Sequence, residues 1–199
     1  MTSIRNPEHT RHLIISKALP IFNTKGYSAT SLSDITQATG MTKGAIYSNF
    51  KNKDEVAVAA FEYAMERILE KLRASIKQAG NAPDKLRAIV NYYQEYVLNP
   101  PVKGGCPVLN TSVEADDNHP LLRTKVVRFI GLVKDSLKQI IYRGVAEQQL
   151  KADIDVEGFA TFMFATIEGA IMLSRVEGDG FSYTHVKRHL DVLITEISC

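Results

Sequence analysis

The chain has 199 residues, an ordinary globular composition and a formal net charge of +2, which suits a small domain joined to a larger one that buries a core. Its two cysteines, Cys106 and Cys199, are too few for a cysteine-based zinc site and a poor case for a structural disulfide. The polar start Met1–Arg11 and the short apolar run Val56–Phe61 match neither a signal peptide nor a membrane span of about 20 residues, so we expect a cytoplasmic protein without membrane association.

Positive charge is concentrated at the start of the chain. Residues 1–53 hold seven Lys or Arg, among them Arg5, and two acids, for a net charge of +5, whereas the remainder has a net charge of −3. A basic head on a mildly acidic body suits a polyanionic partner such as nucleic acid. Chance clustering is the alternative, because charge balance informs on partners and not on fold.

Apolar residues recur at helical spacing along almost the whole chain, and no stretch alternates for long as a strand would. The pattern places Leu32, Ile35 and Ala38 on the inward face of the second helix, and Ile46 and Tyr47 on that of the third. The fold class is therefore all-α, with about nine helices. They are expected at Pro7–Lys25, Leu32–Thr39, Lys43–Asn49, Lys53–Gln78, Pro83–Leu98, Pro107–Glu114, Leu121–Gln149, Val156–Val176 and Tyr183–Ile197.

Caps and breakers define the ends of the early helices. Pro20 lies inside the first helix and predicts a kink there, and Gly26 ends that helix. Ser31 with Asp34 forms a capping-box pattern before the second helix, and Thr42 caps the third. The segment 116–120 is expected to form a loop that closes the sixth helix, and we place a domain boundary between residues 1–52 and 53–199.

The segment Thr30–Lys53 has the pattern of a helix-turn-helix, with a glycine-containing turn at Gly40 between two short helices. In such a motif the first residues of the second helix contact base edges in the major groove, and helix N-termini contact phosphates. A structural helical hairpin in an enzyme is the alternative interpretation. The DNA-binding candidates are Thr30, Ser31, Thr42, Lys43, Gly44, Ala45, Tyr47, Ser48, Asn49 and Lys53.

This head resembles the TetR (tetracycline-repressor-like) family of bacterial regulators over about 50 residues. The carrying residues are Ala18, Phe22, Gly26, Tyr27, Thr30, Ile35, Ala38, Gly40, Gly44, Tyr47, Phe50 and Lys53. Ser48 departs from the family pattern, which has an aromatic residue or histidine there, and Pro20 departs from the plainest first helix. The resemblance implies a repressor that binds double-stranded DNA at a palindromic operator and is released by an unidentified small-molecule effector.

The resemblance also implies a symmetric homodimer in which the last two helices of each subunit pack as a four-helix bundle. The sequence agrees in part, because the ninth helix has an apolar stripe and the eighth has Gly169 and Ala170, which allow a close helix approach. Burial of the same residues within one subunit is the alternative.

TetR-like bodies usually hold an effector pocket, and pockets are lined by aromatic and methionine side chains with a few polar groups. A packed core uses the same residues, so core packing is the alternative at each position, and Glu168 is the least core-like. The pocket candidates are Phe61, Met65, Tyr92, Tyr93, Tyr96, Cys106, Asn110, Phe129, Val133, Phe162, Ile167, Glu168 and Met172.

The segment Gly104–Asn110 resembles a TetR subgroup with a GGCP-type entry to the sixth helix, and it places Cys106 at a helix N-terminus. A helix dipole lowers the pKa of a thiol at that position. One hypothesis is therefore a thiol-based sensor of electrophiles or oxidants that acts through Cys106. A small buried residue without chemistry is the alternative.

Residues for catalysis or metal binding are sparse. His185 and His189 are four positions apart on the ninth helix but have no third ligand nearby, and Asp116 with Asp117 is expected to form a cap or turn. No phosphate loop or nucleophile elbow follows a strand, so we expect neither an enzyme nor a cofactor or metal. A ligand-binding helical protein that no longer binds DNA is the remaining alternative, although Lys43 and Lys53 on the expected DNA face argue against it.

Overall fold

The structure is a computed structural model that describes residues 7–199, apart from the side chains of residues 116–118, so Arg5 of the basic head lies outside it. The described chain is all-α, as predicted, and its one β feature is an isolated antiparallel bridge between Leu150 and Ser198. The helices are α1 Pro7–Lys25, α2 Leu32–Thr39, α3 Lys43–Tyr47, α4 Lys53–Lys77, α5 Ala82–Leu98, α6 Pro107–Asn118, α7 Pro120–Ala146, α8 Val156–Glu177 and α9 Phe181–Glu196.

The chain divides into two compact units, and α4 and α7 each contribute to both. The first unit runs to Arg67 and includes Val102–Val127, and the second comprises Ile68–Pro101 and Arg128–Cys199. This division follows packing. The functional division at residues 52 and 53 stays a prediction.

The first unit is built on a small apolar core beneath the helix-turn-helix. Its members come from α1, α2, α3 and α4 and from the turn after α3, so the two short helices are held by burial on one side. The helix α1 continues through Pro20, and the kink there stays a prediction. The core residues are Ile14, Ala18, Ile35, Ile46, Phe50 and Val56.

Caps fix the ends of α2 and α3, as the sequence predicts. The Ser31 hydroxyl accepts the N–H of Asp34, and the Asp34 carboxylate accepts the N–H of Ser31, so both halves of the capping box are present. Gly40 ends α2 in the left-handed conformation, at φ 68°. The Thr42 hydroxyl then accepts the N–H of Ala45 at 3.2 Å and starts α3.

Two predicted boundaries are wrong by several residues. The segment 116–120 is not a loop, because α6 continues to Asn118 and only His119 separates it from α7. The following Pro120 forces His119 out of the helical region, to φ −141° and ψ 82°, and this steric effect ends α6. The helix α7 stops at Ala146, before Gln148 takes a left-handed φ of 56°.

Two predicted inward positions in the head are also wrong. Ala38 is exposed on α2, and Tyr47 has 52% of its surface exposed on α3. In both cases a neighbouring residue, Ile35 or Ile46, already fills the space beneath the short helix. The third helix also ends at Tyr47, two residues earlier than predicted.

In the second unit α5, α8 and α9 pack against one another. Tyr183 at the start of α9 is fully buried, and its hydroxyl donates to the carbonyl of Val90 on α5 at 2.9 Å. Its N–H donates to the Ser174 hydroxyl on α8, so one residue ties the three helices together. The tight turn between α8 and α9 is made by Gly178 in the left-handed conformation, at φ 80°.

Candidate nucleic-acid interface

The exposed face of α3 is short and begins with small and polar groups. Lys43 and Gly44 are exposed in its first turn, and the buried Ile46 anchors the opposite face in the core. A Cβ on Gly44 would meet nothing closer than the Thr42 hydroxyl, at 3.9 Å, so the surface above Gly44 is open. A duplex can therefore approach this backbone closely, with Lys43 and Tyr47 on either side.

The side chains that follow α3 turn back on its end. The Ser48 hydroxyl donates to the carbonyl of Ala45 at 2.9 Å, and the Asn49 side-chain amide donates to the same carbonyl at 2.8 Å. These bonds satisfy a helix carbonyl that would otherwise lack a partner. A groove of about 220 Å³ lies beside these residues, lined by Pro7, Thr10, Met41, Ala45, Ser48 and Asn49.

Arg11 on α1 holds the C-terminal end of α3 in place. Its guanidinium donates to the backbone carbonyl of Asn49 at 2.5 Å, lies 4.0 Å from the centre of the Phe50 ring, and pairs with Glu55 at 3.2 Å. The Lys51 N–H, and then Arg11, lower the pKa of Glu55 below its usual value. Arg11 is not among the predicted DNA-binding residues, because its partners lie 38 and 44 positions further along the chain.

Two of the predicted DNA-binding residues have partners inside the head. The side chain of Thr30 is buried and donates to the carbonyl of Gly26 at 2.6 Å. The Lys53 ammonium donates to the carbonyls of Tyr27 and Thr30, both at 2.9 Å, and lies 4.1 Å from the centre of the Tyr27 ring. Both side chains therefore stabilise the loop between α1 and α2.

The N-terminus of α2 already carries an acid. The Lys25 ammonium contacts the Asp34 carboxylate at 2.6 Å, and this contact, followed by the hydrogen bonds from Ser31, holds the pKa of Asp34 far below its usual value. The ionised carboxylate occupies the positive end of the helix. A phosphate near Ser31 would meet that negative charge, so α3 presents the less encumbered surface.

The loop after α1 is bound by α6 through Glu114. Gly26 is left-handed at φ 83°, and the Glu114 carboxylate accepts the N–H groups of Tyr27 and Ser28 immediately after it. A side chain on Gly26 would overlap that carboxylate. Glu114 lies 87 positions from Tyr27, and no local pattern indicates this contact.

A second contact of the first unit involves Tyr27 and His119. The Tyr27 hydroxyl donates to Asp54, and burial, followed by that bond and the negative charge of Asp54, raises the pKa of Tyr27 to about 12. The buried His119 ring packs edge-on against Tyr27 at 4.3 Å and accepts the N–H of Leu122 at 3.1 Å. The start of α7 is thereby joined to the base of the head.

The GGCP segment is bonded to the end of α1 by two asparagines. The buried Asn23 amide donates to the carbonyls of Lys103 and Gly105, at 3.0 and 2.9 Å. The Asn110 amide donates to the side-chain oxygen of Asn23 at 3.0 Å and to the carbonyl of Gly104 at 2.8 Å. Asn110 is therefore a structural connector within this unit.

Cys106 is the first residue before α6, as predicted, but only 3% of its surface is exposed. Reactive thiols generally lie in partly exposed sites. Its burial favours the interpretation as a small packed residue over that of a sensor.

The pocket candidates of the first unit, Phe61, Met65 and Cys106, are buried, and Asn110 is half-buried. Phe61 and Asn110 line a cavity of about 30 Å³ among α1, α4 and α6. That volume suits about one water molecule and is far below that of a typical ligand pocket.

The pocket candidates of the second unit fall into two groups. Phe162 and Met172 on α8 have 49% and 42% of their surfaces exposed. Glu168 is 8% exposed, and together with Asp191 its negative charge adds to burial in raising the pKa of Tyr183. The rings of the three tyrosines on α5 pack together, with centroids 5.1 to 6.3 Å apart. The remaining candidates are all buried or half-buried: Tyr92, Tyr93, Tyr96, Phe129, Val133 and Ile167.

The two histidines of α9 lie at the surface. His185 and His189 are exposed, and the His185 ring packs edge-on against Phe181 at 4.4 Å. In the part of the chain that the structure describes, no group of three or more His, Cys, Asp or Glu side chains is placed to hold a metal ion.

Comparisons with known protein families identify this architecture. The family of bacterial regulatory proteins of the tetR type matches residues 14–60, and the tetracyclin repressor-like C-terminal domain matches residues 82–190, more than half of the chain. The chain belongs to the TetR family. This TetR-family protein is accordingly a helix-turn-helix transcriptional regulator.

Two solved structures agree with this chain over nearly its full length. A TetR transcriptional regulator from Chloroflexus aurantiacus is 34% identical, with a TM-score of 0.94 and 98% of each chain covered. A TetR-family regulator from Cytophaga hutchinsonii is 36% identical, with a TM-score of 0.89 and 99% and 98% covered. Among curated relatives, the HTH-type transcriptional repressor DhaR of a Mycobacterium species is 24% identical over 84% of this chain and 83% of its own length.

Proposed function

We propose that this regulator binds a palindromic DNA operator as a homodimer and represses transcription until a small-molecule effector releases it. The observation that carries the proposal is the exposed start of α3, where Lys43 and the open surface of Gly44 project from a helix anchored by the buried Ile46. A helix with this exposed N-terminal face fits the major groove. The mycobacterial relative DhaR is a transcriptional repressor.

The proposed roles of the DNA-binding residues follow from their surroundings. Thr42, Lys43, Gly44 and Ala45 face base edges, since they occupy the first turn of α3. The exposed Tyr47 reaches the flanking backbone. The others act at the edge of the interface or from inside the head, where they hold the contacting loops in place: Thr30, Ser31, Ser48, Asn49 and Lys53.

The proposed dimer contact is the exposed apolar surface of α8 and α9. Within the described chain the two helices pack against each other, yet Val176 and Phe181 remain 82% and 67% exposed at the turn that joins them. A Cβ on Gly169 would meet nothing within 4 Å, so a partner helix can approach closely there. The helix α8 is long and apolar enough for a membrane span, and a dimer contact accounts for that apolar surface. Its other exposed members are Phe162, Met172, Leu173 and Val192.

The proposed effector site lies among the buried candidates of the body. The supporting observation is Glu168, a buried carboxylate on α8 whose charge influences Tyr183. A few polar groups orient a ligand within a mostly apolar site, and Glu168 is such a group among the buried candidates of the body. Such a ligand releases DNA only if it binds the released state more tightly than the DNA-bound state. We further propose a cytoplasmic location, because a regulator acts in the compartment that holds its DNA operator.

The first experiment is selection of bound duplexes from a random DNA pool, followed by competition at fixed, near-physiological salt. The proposal expects a palindrome with half-sites about one to two helical turns apart, bound roughly 10³-fold or more over random DNA. Enrichment of no sequence, with weak salt-sensitive binding alone, would instead support a ligand-binding protein that has lost operator recognition.

The role of Lys43 is tested by Lys43→Ala. If Lys43 contacts a base, the substitution weakens operator binding by about 1–3 kcal/mol and leaves binding to random DNA nearly unchanged. Lys71→Ala, which removes an exposed lysine from α4, is the matched control and should change neither. An equal loss on operator and random DNA would reassign Lys43 to a phosphate contact.

A further inference from the structure

A basic cleft in the second unit shares no lining residue with the α3 surface or with the predicted effector pocket. It has a volume of about 370 Å³ and is formed by the end of α4, the start of α5, and the last turns of α7 with the segment after it. That volume is within the range of small-molecule sites. None of its lining residues is among the predicted site residues, because they come from two distant stretches, 76–85 and 136–149.

Positive charge dominates the lining. Lys77, Lys85 and Arg143 line the cleft, with Glu147 as the single acid among the lining residues that the structure describes. Within the described chain none of the three cations takes part in an ion pair, whereas other surface lysines of this unit do, such as Lys138 with Asp135. The lining therefore has a net charge of about +2, which a multivalent anion would balance.

Helix dipoles account for two of the three cations. Lys77 and Arg143 lie in the last turns of α4 and α7, where a positive charge is favourable. Lys85 lies in the first turn of α5, where the helix dipole disfavours a cation. The neighbouring acid Asp84 is paired with Arg87, at 3.3 Å, and does not compensate Lys85. A bound anion would compensate it.

The floor of the cleft is built by close packing. A Cβ on Gly144 would overlap Ala82 and Leu150, so only glycine lets the end of α7 approach the start of α5 this closely. Gln148 takes the left-handed conformation, a strained one for a residue other than glycine. This turn brings the Gln149 side-chain oxygen to the N–H of Ala82 at 2.7 Å. The shape of the cleft is thus held by packing and hydrogen bonds.

The other walls are apolar or carry amides. Ile76, Ala79 and Ile140 supply apolar surface, and Gln139 supplies a hydrogen-bonding side chain. A free phosphate ion would leave the apolar wall and most of the volume unfilled. We propose that this cleft binds a phosphorylated organic metabolite, with its phosphate against Lys77, Lys85 and Arg143 and its organic part against Ile76 and Ile140. The site does not depend on DNA recognition.

Isothermal titration calorimetry at low ionic strength tests the site with three probes: inorganic phosphate, inorganic pyrophosphate and adenosine 5′-monophosphate. The nucleotide should bind more tightly than inorganic phosphate, because it alone can also fill the apolar wall. Lys85→Gln with Arg143→Gln should weaken nucleotide binding by about tenfold or more, since two charge-assisted contacts are lost.

The matched control is Lys71→Gln with Arg73→Gln, which removes one lysine and one arginine from the exposed surface of α4 outside the cleft. It should leave nucleotide affinity within about twofold, a difference small against the tenfold effect. Ala79→Phe, which fills the cleft without changing charge, should reduce nucleotide binding more than pyrophosphate binding. Far-ultraviolet circular dichroism and a urea midpoint establish that each variant is folded.

Three results would overturn the proposal. The first is the absence of binding by all three probes. The second is an equal loss of affinity in the cleft pair and the control pair, which would indicate a general effect of net charge. The third is full retention of nucleotide binding by the cleft pair or by Ala79→Phe, which would locate the binding on another basic surface such as the DNA-binding head.

Discussion

The sequence predicts that Lys53 contacts DNA, but its contacts in the structure indicate a structural role in the head. The substitution Lys53→Met tests which of the two roles it has. The substitution keeps the length of the side chain and removes its charge and its donors. In the structure the ammonium donates to the carbonyls of Tyr27 and Thr30, both at 2.9 Å, and lies 4.1 Å from the centre of the Tyr27 ring. Lys53→Met therefore leaves two carbonyls of the loop between α1 and α2 without this donor.

The expected cost follows from these contacts. A hydrogen bond from a charged donor contributes about 1.5–3 kcal/mol, and here the values belong at the lower end because the site is only partly buried and water can replace the donor. The apolar part of methionine offsets some of the loss by packing on the Tyr27 ring. We expect a decrease of about 2–3 kcal/mol in the free energy of unfolding, or roughly 4–12 °C in Tm for a chain of this size.

Urea and thermal unfolding at one fixed chain concentration measure this change, since the stability of a dimer depends on concentration. The control is Lys51→Met, two residues away, where the lysine is exposed, and it should lie within about 0.5 kcal/mol of the parent. Lys53→Met with the stability of the control, but with weaker binding to operator and random DNA alike, would refute the structural role and establish a phosphate contact.

The remaining predictions concern the same unit. Gly40→Ala should cost about 1 kcal/mol for a left-handed side chain, and Gly26→Ala at least about twice that, because its Cβ also displaces the Glu114 carboxylate. Asp34→Asn should lower stability at pH 7, and the difference from the parent should shrink progressively below about pH 4. The lowered carboxylate pKa contributes its full stability above the unfolded value and progressively less as the pH falls towards the folded value. Asn23→Ala removes three hydrogen bonds of a buried amide and should cost about 3 kcal/mol.

Urea unfolding measures all three, for Asp34→Asn across a series of pH values. Equal decreases in unfolding free energy for Gly26→Ala and Gly40→Ala would mean that the Glu114 carboxylate moves aside without an energetic cost. If the difference in unfolding free energy between the parent and Asp34→Asn stays constant down to pH 2, the stability comes from the hydrogen bonds of the capping box and not from the carboxylate charge. For Asn23→Ala the control is the exposed Asn91→Ala on α5, and a similar small effect in both variants would contradict the proposed bonding of the GGCP segment.

The parts of the fold that depend on local physics could be predicted from the sequence. The box formed by Ser31 and Asp34, the Thr42 cap and the left-handed Gly40 are decided within four residues along the chain, and all three are present. The apolar period predicts about nine helices, and the helices of the described residues 7–199 follow in the predicted order, with errors of a few residues at their ends. The largest error is at the end of α6, because Asp116 and Asp117 favour a turn by residue type, whereas Pro120 is the residue that ends the helix.

The candidate site was harder to predict, because residue type does not determine which partner a donor binds. Thr30, Lys53 and Asn49 are all capable of binding phosphate, yet in the fold each donates to a backbone carbonyl of the head itself. Those carbonyls need donors wherever a loop or a helix end leaves them without a helical partner.

The partners that organise the loop after α1 come from far along the chain. Glu114 binds the N–H of Tyr27, and Asn110 binds Asn23, each across 87 positions. A single sequence shows no relation between such residues until the fold brings them together.

These contacts have a specific consequence for function. The loop that leads into the helix-turn-helix is held by α6 on one side and by Lys53 on the other, so substitutions at these residues should change DNA binding through the geometry of the head. Substitutions at Lys43 should change it through direct contact. Comparison of unfolding free energies with operator affinities separates the two classes, because only the first class lowers both.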